Sequence, residues 1–65
     1  MSIPDFNQAN VVEVLIHNAR ASLNDARPFL NDADSDPLNS FHILGEAKTK
    51  LNLALAYIEE ARQNL

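Results

Sequence analysis

Apolar residues recur along this chain with the period of a helix, in two separate runs. From Ala9 through Val12, Ile16, Ala19, Leu23, Ala26 and Leu30 to Ala33 the spacing alternates between three and four without a break. Leu44, Ala47, Leu51, Ala54, Ile58, Ala61 and Leu65 repeat it. A heptad stripe of this kind turns one side of a helix toward a neighbouring helix. The pattern predicts an all-α chain, an antiparallel two-helix hairpin with an Ala/Leu heptad seam.

Start and stop residues bound the two elements. Asp5 and Gln8 form a D-x-x-Q capping box, and Ser2 with Asp5 offers a competing start one turn earlier, so the first helix should begin between Ser2 and Asn7. Asp36-Pro37 reads as a second start, because Asp accepts from free first-turn amides and Pro has no amide to leave unpaired. The expected elements are a first helix over about 5–33, a turn over about 33–36 and a second helix over about 37–64, in one domain spanning 1–65.

Folding the chain back through that turn sets Leu23 against Ala47, Ala19 against Leu51, Ile16 against Ala54 and Ala26 against Leu44. Large would then meet small at every central layer, which fills a seam while letting the axes approach. Pro28 is the misfit, since a mid-helix proline removes a backbone bond and costs about 3 kcal/mol. Either the first helix kinks near Asn24 to Arg27, or it stops there and a short turn restarts at Pro28; the continuing heptad favours the kink.

Apolar residues remain after the seam is used. Val11, Leu15, Ser22 and Phe29 line one flank of the first helix, and Ile43, Ala54, Tyr57 and Ala61 line the flank of the second that faces the same side. Exposed together they exceed what a soluble monomer tolerates. Burial in a second copy gives a homodimeric four-helix bundle, and burial in another protein makes the hairpin a helix-pair ligand. The expected dimer or partner interface is Val11, Leu15, Phe29, Ile43 and Tyr57, with Tyr57 as the anchor because an aromatic with a polar tip is a frequent hot spot.

Length and charge sharpen this picture. A chain of 65 residues buries barely enough surface to offset its entropy, and with no Cys it has neither disulfide nor thiolate zinc site to supplement the core. Association is the remaining supplement. A net charge of -4 with five scattered basic residues makes nucleic acid an unsuitable partner. No stretch approaches the roughly 20 apolar residues of a membrane span, and no signal segment is evident, so a cytoplasmic location without membrane contact is expected.

Candidate chemistry is sparse. Asp32, Asp34 and Asp36 form D-x-D-x-D, but the sixth position of such a calcium loop is Pro37 where Gly is needed, and the twelfth is Ile43 where Glu should close the site. His17 and His42 have no second ligand one turn away, and Ser2, Ser22, Ser35 and Ser40 lack the glycine-supported elbow of hydrolases. No catalytic residue, metal or cofactor is expected.

The function expected is therefore that of a small interaction module that binds and regulates or inhibits another protein. In general form, a short acidic cysteine-free hairpin is similar to many small phage- or mobile-element-encoded inhibitors of host regulators or enzymes; the likeness is one of shape and carries no residue across. Two alternatives stand beside it. One is a structural or assembly subunit of a larger complex, and the other an acidic nucleic-acid mimic.

Overall fold

The computed structural model describes residues 6–65, with side chains from Gln8 onward. It is a rod of 57 × 14 × 10 Å made of two helices packed along their length. Helix α1 spans Phe6–Ser35, a single 3-10 turn covers Pro37–Asn39, and α2 spans Phe41–Gln63. The described residues contain no strand, so the all-helical hairpin is as the periodicity predicts. The expected cap at Asp5 lies outside the described residues.

The second helix starts four residues later than the Asp36-Pro37 signal suggests. Pro37 opens the 3-10 turn instead, closed by the Asn39 amide donating to the Asp36 carbonyl at 3.2 Å. The Asn39 side chain donates to both Asp36 carboxylate oxygens at 3.2 Å, so that carboxylate is occupied outside α2. Ser40 then takes the N-cap position of α2, its hydroxyl donating back to the Pro37 carbonyl at 2.7 Å. A buried serine at this point lets the chain turn close against Ala33, which is also buried.

Pro28 lies inside α1, which continues through it without ending. The restart at Pro28 is thereby overturned. Pro28 and Asn24, the residue whose carbonyl loses its helical donor, are both exposed, so the missing bond falls where solvent can compensate.

The largest departure from the sequence pattern is rotational. The alanines do form the seam: Ala19, Ala26 and Ala33 on α1 and Ala47, Ala54 and Ala61 on α2 are all buried, Ala26 and Ala54 to 1% exposure. The large residues expected between them do not. Ile16, Leu23, Leu30, Leu44 and Ile58 are 42–50% exposed, whereas Leu15 and Ser22 are buried and Phe29, Ile43, Lys50 and Tyr57 are half-buried.

Register explains the rotation. The Gln8 side-chain amide donates across the hairpin to the Asn64 carbonyl. Stepping one heptad at a time from that pair sets Leu15 against Tyr57, Ser22 against Lys50 and Phe29 against Ile43. The layers between become Val12 with Ala61, Ala19 with Ala54, Ala26 with Ala47 and Ala33 with Ser40. Small therefore meets small, correcting the large-on-small pairing. Axes drawn together by facing alanines leave no room between them for branched aliphatics. Leu, Phe, Tyr and the Lys stem instead close the seam from one side, leaving Ile and Leu on the other.

Gly45 sits within α2, and a β-carbon there meets nothing within 4 Å. Glycine costs a helix interior about 1 kcal/mol relative to alanine. Gly45→Ala is expected to stabilise the hairpin by about 1 kcal/mol, read as a higher midpoint in thermal denaturation followed by circular dichroism.

Candidate protein interface

Ile16, Leu23, Leu30, Leu44 and Ile58 each follow a buried or half-buried residue by one position, which places them about 100° further round the helix. Because the two helices run antiparallel, the same rotation on each brings both rows to the same side of the rod. A shallow groove at the open end agrees with this, lined by Ala9, Val12, Glu13 and Ile16 of α1 together with Leu65, two residues past the end of α2. One face of the hairpin thus carries Ile16, Leu23 and Leu30 beside Leu44, Leu51 and Ile58, with no polar residue in either row.

Charge is distributed around this face in a definite way. One helical turn beyond the rows lie Arg20 and Arg27 on α1 and Lys48 and Arg62 on α2, four of the five cationic residues of the chain. Glu13 and Asp34 end the α1 edge, and Phe41 and Leu55 complete the α2 edge. Arg62 also meets Glu59 at 3.5 Å, an exposed pair that contributes little to stability. The opposite side of the rod carries Asp25, Asp32, Glu46 and Glu60 together with the exposed Val11, Val14 and Leu53, and half-buried Lys50.

The residues expected to form the interface lie on the other flank of the seam and differ in burial. Leu15 is buried within the hairpin, opposite Tyr57, so it is already used in the fold. Phe29 and Ile43 are half-buried in a second large layer nearer the turn. Val11 alone is openly exposed, in a shallow groove shared with Asn10, Val14 and Leu15 on the side away from the aliphatic face. In the register set by Gln8 and Asn64, Leu15 and Tyr57 fall level at the open end and Phe29 and Ile43 level at the turn end, all on the flank of the rod that also carries Val11.

The aliphatic face was assigned in sequence to the seam and so missed as a surface. One signal could have identified it: the 16/23/30 and 44/51/58 rows are wholly aliphatic, whereas the 15/22/29 and 43/50/57 rows include Ser22, Lys50 and Tyr57. A thin pair of helices can close a mixed row with long amphipathic side chains. A continuous aliphatic row needs a larger apolar neighbour.

Chemical sites are not assembled from the candidate residues. Among the described residues no three carboxylate or imidazole side chains gather where a metal could be held. His17 and His42 are exposed, His42 packing edge-on against Phe41 with ring centroids 5.7 Å apart. Ser22 and Ser40 are buried in the seam and Ser35 is engaged with the Asn31 carbonyl. Among the described residues, no helix is long and apolar enough to cross a membrane. The chain matches no protein-family model, no curated protein and no solved structure in the comparisons made.

Proposed function

We propose that this chain is a non-enzymatic protein-interaction module whose aliphatic face is covered by a second copy, giving a four-helix bundle, and whose outer surface binds and regulates or inhibits another protein. The observation that carries the proposal is the face itself: six aliphatic residues in two adjoining rows, five of them 42–50% exposed. Monomeric soluble proteins rarely keep so continuous an apolar surface in water. Half-burying an aliphatic side chain contributes about 1 kcal/mol. Twelve such residues per dimer match in order of magnitude the roughly 4–15 kcal/mol that association costs, so assembly should depend on concentration.

In such a bundle the groove at Val11 and Val14 stays open on the outside. With exposed Leu53 on the same outer side, it offers an apolar surface to a partner protein. Light scattering over a wide concentration range tests the assembly. The expected mass is twice 7.2 kDa and is unchanged between low and high salt, since an apolar interface is not screened. A folded monomer at every concentration would sink the proposal. A partner interaction that disappears with salt would favour the acidic side, with Asp25, Asp32, Glu46 and Glu60, as a nucleic-acid mimic instead.

A further inference from the structure

We infer that the two copies join with their turns at opposite ends, so that α1 lies antiparallel to α1 of the second copy and α2 antiparallel to α2. This rests on the dimer proposed above and adds its orientation. A two-fold axis can superpose the faces in only two ways. Turns at the same end put α1 beside α2 of the second copy, and turns at opposite ends put like beside like. Both bundles have antiparallel neighbours throughout, so helix dipoles do not separate them. The edges of the face do.

The Gln8–Asn64 bond fixes heights along the rod. Continuing it, Arg62 lies level with Asn10, Leu55 with His17, Lys48 with Asn24 and Phe41 with Asn31.

With the turns at the same end, the α1 edge meets the α2 edge of the second copy at matching heights. Arg27 then meets Lys48 and Phe41 meets the Asp34 carboxylate, with Glu13 against Arg62 as the single attraction. With the turns at opposite ends and the axis passing near Arg20, Glu13 meets Arg27 on both sides of the axis. Phe41 meets Arg62 and Leu65, offering its ring to a guanidinium and its edge to an apolar neighbour. Ile16 lies across from Leu23, and Leu51 lies near its own copy. The cost is one contact between the two Arg20 residues.

Phe41 weighs most in this comparison. It is 84% exposed, and among the described residues its aromatic contact is the edge-on one with the adjacent His42. Leu65, at the other end of the rod, is 86% exposed. Only the opposite-end arrangement brings these two together.

The chain has no cysteine, so engineered thiols report without background. Ser35→Cys places a spin label on an exposed residue at the turn end of α1. At a rise of 1.5 Å per residue the two labels should lie about 45 Å apart in the dimer, against roughly 20–25 Å across the bundle if the turns share an end. The double variant Glu13→Cys/Arg27→Cys should also form disulfides between copies under mild oxidation. Within one chain its thiols sit about 21 Å apart along α1 and cannot bridge. A short interspin distance in a dimeric sample overturns the orientation and leaves the dimer standing. A sample that scatters light as a monomer and gives no interspin distance removes the dimer, and the orientation with it.

Discussion

Ala54→Leu, and equally Ala26→Leu, is expected to lower the stability of the hairpin by about 1–3 kcal/mol, the range for overpacking a well-filled core. Both alanines are 1% exposed and stand at the closest approach of the helices, facing Ala19 and Ala47 respectively in the register set by Gln8 and Asn64. An added isobutyl group has nowhere to go without pushing the axes apart, which would open the neighbouring layers of Leu15 with Tyr57 and Phe29 with Ile43. At about 4–8 °C per kcal/mol for a domain of this size, the loss should be plain in thermal denaturation followed by circular dichroism. Leu23→Ala supplies the contrast. At 44% exposure on the aliphatic face it should cost the isolated hairpin well under the about 2–5 kcal/mol of a buried Leu→Ala. A Leu23→Ala loss as large as that of Ala54→Leu, measured at concentrations where the chain is monomeric, would return Leu23 to the seam.

How far the fold could be read without coordinates follows from what periodicity encodes. Spacings of three and four name the helical stripe, and its alanines from Ala19 to Ala33 and from Ala47 to Ala61 are buried between the helices, with only Ala9 at the open end exposed. Period alone cannot tell on which side of the alanines the remaining seam residues lie. The rows 12/15/19/22/26/29/33 and 12/16/19/23/26/30/33 are both heptad patterns through the same alanines. The unbroken alternation of alanine with a large aliphatic marks the second in sequence, and the geometry of a close-packed alanine seam favours the first. The start of α2 was displaced for a local reason. Asp36 is engaged by Asn39, and Pro37 fits a 3-10 turn as readily as an α-helical first turn. Of the expected interface, Val11 is exposed as its place on the flank of the stripe suggests, whereas the burial of Leu15 depends on the cross-helix register.

Leu23→Glu is expected to convert the dimer to a folded monomer. The residue is central in its row and about half exposed in the single hairpin, so a carboxylate there can reach water and α1 should persist. In the bundle the same carboxylate would be enclosed among Ile16, Leu44 and Leu51 and their copies, with Arg20 and Arg27, three residues before and four after it at the edge of the face, as the nearest cations of its own helix. Burying the charge costs more than a pair at that edge returns, a net loss of about 2 kcal/mol or more. The two-fold axis imposes that cost twice. At 1.4 kcal/mol per factor of ten, dimerisation should weaken by at least about a thousandfold, so light scattering should report the monomer mass where the wild type is dimeric, with helicity retained. Val11→Glu on the opposite side should leave the mass unchanged, because that side faces outward in the bundle. The pair separates the two faces cleanly. Loss of the dimer in Val11→Glu with retention in Leu23→Glu would move self-association to the Val11–Leu15–Tyr57 side, and the aliphatic face would then be the surface presented to another protein.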